Sequence, residues 1–231
     1  MRNSDRLSFP LRVELVVFDI DGTLVDAFGM IAACFNATME AFNRPVKSVD
    51  EVRRLVGTGS RALLAPFVPE DRLDEALDLF YGEYDRRYLE ETRPLPGALE
   101  LLEELRGKGI KIATASNKRG IHCRGGLAKL GMLPYMELCV GAGDVPSLKP
   151  DPAMIDRILE RTGVSARDAV MVGDSPIDAA TAQAAGIPCV AVVTGSHTRF
   201  ELEMAGTNKT VADLGELLGA FDRKNGSGAA D

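Results

Sequence analysis

No stretch of the 231-residue chain strings together the roughly 20 apolar residues needed to cross a bilayer, which argues against a helical membrane protein. The segment from Met1 to Arg12 lacks an apolar h-region and a small-residue cleavage site, so a cytoplasmic location is expected. Cysteine is sparse. Cys34, Cys123, Cys139 and Cys189 lie far apart and form no CxxC pair, which argues against a structural zinc site or a redox motif. Positive charge is short as well: 27 Lys plus Arg face 34 Asp plus Glu, and the net charge of -7 disfavours nucleic acid as a partner. An anionic substrate must therefore be met by local positive charge. Of the two histidines, His122 sits beside Cys123 in a presumed helix and His197 in a GSHTRF stretch. Packing or surface exposure explains each as well as a catalytic base would.

What is present reads as alternating strand and helix. Leu15–Phe18 (LVVF) is a short apolar run expected to be a fully buried strand, with further strands at Ile110–Ala115, Leu138–Val140, Ala169–Val172 and Pro188–Val193. Helices are expected over Lys118–Leu130, Pro152–Thr162, Pro176–Ala185 and Asp213–Phe221, with one more opened by Pro96 and closed by Gly107 or Gly109. Gly125-Gly126 is the weak point of the first of these. The alternation predicts an α/β fold: a doubly wound parallel sheet, Rossmann-like, as the core. Between Asp26 and about Pro94 no strand pattern occurs, and Met30–Phe42 and Asp71–Tyr88 carry apolar residues at helical spacing. The expected division is a core of residues 1–25 and 95–221, a helical cap of residues 26–94 above the sheet's C-terminal edge, and a disordered polar tail of residues 222–231. The sequence carries no signal for an oligomeric state.

Two acidic clusters stand at strand ends. Asp19 and Asp21 flank one residue after the first strand, and carboxylates this close repel unless a cation or a proton intervenes. Alone, DxDG also opens calcium loops and ordinary turns. Asp174 and Asp178, in GDSPID, follow another strand; a helix start capped by Asp174 or Ser175, with Asp178 in solvent, would explain them separately. Together on one sheet edge, four carboxylates make a site for a hard dication, with magnesium the common choice where phosphates are handled. Lys149 could pair both a phosphate and a carboxylate, and Ser116 with Asn117 could receive phosphate oxygens at a helix start. A solvated lysine and a plain N-cap are the competing explanations.

The order DIDGT, a Ser after a strand, Lys-Pro and GDSPID resembles the haloacid dehalogenase superfamily over about Leu15 to Phe221. LVGTGSRALL, TASNK, SLKPDP and VVTGSHTRFEL look most like its phosphoglycolate phosphatase branch. The resemblance implies a phosphatase acting on a small phosphorylated metabolite. It makes Asp19 the nucleophile and Asp21 the general acid and base, with Ser116 and Lys149 on the phosphoryl oxygens. It implies magnesium (Mg2+) held by Asp19, the backbone carbonyl of Asp21 and Asp174, with Asp178 alongside through water. The same core motifs would serve a phosphosugar mutase. A phospho-accepting signalling module would have a similar sheet but no helical insert. Selectivity is expected from the insert, where Gly57, Gly59 and Arg61 lie in a Gly-rich turn able to receive an anion. The competing reading caps a helix with Thr58 or Ser60 and leaves Arg61 in solvent.

Overall fold

A computed structural model describes residues 7–224. Its strands are β1 (Leu11–Val13), β2 (Leu15–Phe18), β3 (Val25–Asp26), β4 (Arg93–Pro94), β5 (Lys111–Arg119), β6 (Leu138–Ala142), β7 (Ala169–Gly173), β8 (Cys189–Val192), β9 (Lys209–Val211) and β10 (Phe221–Arg223). Its α-helices are α1 (Phe28–Ala41), α2 (Val49–Arg53), α3 (Ser60–Leu64), α4 (Leu73–Glu91), α5 (Ala98–Gly107), α6 (Gly120–Lys129), α7 (Ala153–Thr162), α8 (Pro176–Ala184) and α9 (Arg199–Met204). Six strands form one sheet in the order β6-β5-β2-β7-β8-β9, every pairing parallel. In β2, Val16 and Phe18 join one apolar cluster and Leu15 and Val17 the other. Period-two alternation thus feeds both faces of a doubly covered sheet, and a strand buried on both faces has to be apolar throughout.

β2 is flanked by β5 and β7, with Phe18 level with Thr114 on one side and Val172 on the other. Asp19 directly after β2, Asp174 directly after β7 and Ser116 in the C-terminal half of β5 come to one edge. α1 to α4 fill the interval between β3 and β4, a two-residue antiparallel pair through which the chain leaves and re-enters the core. Among the described residues, no helix is long and apolar enough to cross a membrane.

Two expected helices differ. β5 runs on to Arg119, so α6 begins at Gly120 rather than Lys118. At the other end only a 3-10 turn, Leu214–Leu217, stands where a helix over Asp213–Phe221 is predicted. Gly219 takes a φ of 73°, which ends the turn, and Phe221 pairs with Leu11 instead. Asp222 and Arg223 therefore belong to a strand and not to the expected tail; its residues 225–231 lie outside the described residues.

Gly125 explains its place inside α6. A Cβ there would meet the Tyr88 hydroxyl of α4 at 2.6 Å, so the missing side chain lets the insert's long helix lie against the core. At Gly126 a Cβ would meet nothing within 4 Å. Gly126→Ala is thus expected to stabilise by about 0.5–1 kcal/mol, the usual gain in a helix interior. Gly125→Ala should lower the melting temperature, and thermal melts of the two variants check the contrast.

Candidate active site

At the end of β2 the side chain of Asp19 is buried, and Lys149 Nζ lies 2.9 Å from its Oδ1. The same ammonium donates to Asp178 Oδ1 at 2.7 Å. Asp178 is fully buried, at 0% exposure, and its Oδ2 accepts from the Ser175 hydroxyl at 2.6 Å and from the Ser175 N–H at 3.1 Å. The residue that opens α8 as a capping box therefore also anchors the lysine. Asp174 accepts from Thr23 Oγ1 at 2.8 Å. Gly22, at φ 88°, makes that approach possible, since a Cβ on it would lie 2.5 Å from Asp174 Oδ2. Gly195 is as tight: any Cβ there would overlap Asp174.

Oxygens of Asp19, Asp174 and Asp178 lie within 4.8 Å of one another. Burial pushes the Asp19 carboxyl up to about 6, with Lys149 pulling it down and Asp178 pushing it up. Burial, then Asp178 and Asp19, raise Asp174 well above the ordinary carboxylate range. For Lys149 burial works against the charge, but Asp178 and Asp19 outweigh it and raise its pKa. Three carboxylates against one ammonium leave the cluster short of positive charge. An all-oxygen donor set with that deficit fits a hard divalent cation of the magnesium type.

Asp21 stands apart from this cluster. Its Oδ1 takes a hydrogen bond from Lys118 Nζ at 2.9 Å, and both side chains face a cavity of about 60 Å³ that Asp19 and Ser116 also line. Burial opposes the Lys118 charge, yet Asp21, then Tyr84, raise the pKa of the ammonium. The sequence pattern gives Lys118 no role, because it predicts a helix from that residue on, whereas the structure keeps it in β5. The pairing of β5 with β6 shifts register between Ala115 and Arg119, and a strand whose alternation is broken there can turn Ser116, Asn117, Lys118 and Arg119 all toward one cavity. The TASNK segment was the available signal.

Asn117 lines the cavity, but its amide is spent on backbone. Nδ2 donates to Gly57 O at 2.9 Å and Lys149 O at 3.0 Å, while Oδ1 accepts from Lys149 N at 2.8 Å. It ties the insert's turn to the lysine loop. Gly57, Gly59 and Ser60 reach the cavity wall. Arg61 does not: it is ion-paired with Asp74 and its side chain is 62% exposed. Gly59, not Thr58 or Ser60, is the N-cap of α3. His122 packs among Tyr81, Tyr84 and Tyr88 of the insert, bonds Asp85 at 2.6 Å and lines the cavity. His197 contacts only Ser196 among the described hydrogen bonds.

Residues 16–192 match the model of the haloacid dehalogenase-like hydrolases, well over half of the chain. The chain belongs to this family. A phosphoglycolate phosphatase of Pseudomonas aeruginosa is 33% identical over 220 residues, covering 90% of this chain and 80% of its own length. One from Rhodospirillum rubrum is 35% identical over 219 residues, covering 88% of this chain and 90% of its own. A crystal structure of a haloacid dehalogenase-like hydrolase from Bacteroides fragilis superposes with a TM-score of 0.84 at 26% identity, covering 89% of this chain and 100% of that one. Membership agrees with the α/β fold and the parallel sheet that the alternating pattern predicts.

Proposed function

We propose that this hydrolase is a magnesium-dependent phosphatase of small phosphate monoesters, phosphoglycolate-like in its substrate, working through an aspartyl-phosphate. The observation that carries the reading is Asp19 buried between Lys149 and two further carboxylates, with Asp21 facing the same cavity and paired to a different lysine. The named activity of the Pseudomonas and Rhodospirillum relatives supports it.

Asp19, Asp174 and the backbone carbonyl of Asp21, with Asp178 alongside, would hold magnesium, which supplies positive charge against the transferring phosphoryl group. A carboxylate oxygen of Asp19 attacks phosphorus, and the ester P–O bond breaks. Asp21 gives its proton to the departing oxygen. Asp21 then takes a proton from water, whose oxygen attacks phosphorus and releases phosphate with Asp19 restored. Lys149 offsets charge at the phosphoryl group, Ser116 donates to a phosphoryl oxygen, and Lys118 orients Asp21. The insert of residues 26–94 acts as the cap, a reading supported by the hydrogen bond from Asn117 to Gly57 O.

Phosphate release should be magnesium-dependent and should favour phosphoglycolate over nucleotides, pyrophosphate and hexose phosphates in a single screen. A chain that isomerises a sugar phosphate without releasing phosphate is instead a mutase; absence of both metal-dependent phosphate release and metal-dependent isomerisation defeats both readings.

Metal should also act on stability. A carboxyl whose folded pKa is raised binds protons that the unfolded chain has already lost. Its contribution is full below about pH 4 and is lost as pH rises through about 6 for Asp19. Without metal, this cluster should make the protein less stable at pH 8 than at pH 5. Magnesium should restore the melting temperature at pH 8, and Asp174→Asn should blunt that rise. A metal-independent melting curve would remove these carboxylates from a metal site.

A further inference from the structure

Two cations line the cavity. Lys118 is held by Asp21 at 2.9 Å. Arg119 has no carboxylate within ion-pairing distance among the described residues. Its guanidinium carbon lies 4.2 Å from the centre of the Tyr81 ring, on α4 of the insert. A guanidinium over an aromatic face keeps in-plane N–H donors for a planar anion, and the ring limits its freedom without neutralising it. In a chain of net charge -7, an unpaired cation on the wall of the reaction cavity is a local reversal of the prevailing sign. Arg61, the arginine that the motif in the insert suggests for this task, is already paired with Asp74.

We infer that Arg119 receives a carboxylate on the substrate's leaving group and so selects small carboxylated phosphate esters over neutral ones. The inference rests on the phosphatase reading above. It also couples recognition to the insert: the arginine comes from the broken end of β5, and the ring that holds it comes from α4. A carboxylate bound there bridges core and insert through one guanidinium.

The test compares 2-phosphoglycolate with 2-hydroxyethyl phosphate, an ester of the same length without the carboxylate, in the parent, Arg119→Gln, Arg119→Lys and Arg61→Gln enzymes. In Arg119→Gln, kcat/KM for phosphoglycolate is expected to fall about ten- to a hundredfold, with at most about a threefold fall for the neutral ester. Arg119→Lys should recover part of the loss, because an ammonium keeps the charge but not the fork. Glycolate, tested as an inhibitor of hydrolysis of the neutral ester, should weaken in parallel. Arg61→Gln should change neither ester. An equal fall for both esters in Arg119→Gln assigns the arginine to insert packing against Tyr81 and overturns the inference. A parent preference for phosphoglycolate that survives Arg119→Gln also overturns it while leaving the phosphatase reading intact. A parent that prefers the neutral ester, or hydrolyses neither, overturns the substrate reading itself.

Discussion

Asp19→Asn is expected to lower kcat by about four orders of magnitude or more while the protein stays folded, because an amide oxygen cannot form the phosphoryl bond. The second half of that expectation is as specific as the first. Asp19 is buried beside Asp178, near Asp174, and burial holds its carboxyl up to about 6. At pH 8 the unliganded parent therefore carries a charge that its surroundings resist, and an amide of nearly the same shape removes it. Lys149 keeps Asp178 as its partner. Metal-free Asp19→Asn should accordingly melt at or above the parent's temperature at pH 8. Steady-state phosphate release and a thermal melt decide the matter, and either retained turnover or a collapsed melt contradicts the assignment.

The largest expected effect on stability belongs to Lys149→Ala. That ammonium is 2.9 Å from Asp19 and 2.7 Å from Asp178, and its side chain is 2% exposed. Removing it strands buried carboxylates, and breaking a buried pair from one side costs about 3–5 kcal/mol. In a chain of this size that corresponds to roughly 6 to 20 °C in melting temperature. The deficit should shrink at pH 5, where Asp19 takes up a proton, and grow at pH 8. Turnover should fall about a hundred- to a thousandfold as the charge facing the phosphoryl group is lost. A variant that melted like the parent at both pH values would mean that Lys149 does not balance the cluster.

How far these residues were legible in the chain depended on the distance over which their causes act. β2, β7 and α8 were legible because four or five consecutive apolar residues, a Pro at a helix start and a Ser before it are local causes. Asp19, Asp174 and Lys149 were legible as candidates because each stands directly after such an element or before a proline, and Asp178 because it lies in the first turn of α8. Lys118 and Arg119 were not. Their placement depends on a register shift against β6, a strand some twenty residues further on, which the TASNK segment by itself does not reveal. The final strand was lost for the same reason: Phe221 continues a helical spacing until its partner Leu11, at the other end of the chain, is taken into account. Arg61 differs in the opposite direction: its neighbourhood suggests an anion site, while the structure places it outside the cavity wall and paired with Asp74 on the next long helix.

The two-residue pair of β3 and β4 has a meaning for descent as well as for geometry. Val25 lies against Pro94 and Asp26 against Arg93, so the chain departs and returns through neighbouring positions. Adjacent strands run about 5 Å apart, a gap that a tight turn can close. Helices α1 to α4 could thus be shortened, lengthened or exchanged without altering the register of any strand in the six-stranded sheet. The inserted helices and the sheet that carries the acidic cluster are, to that extent, separately heritable. New specificities can be tried in such a lineage while the chemistry is left alone.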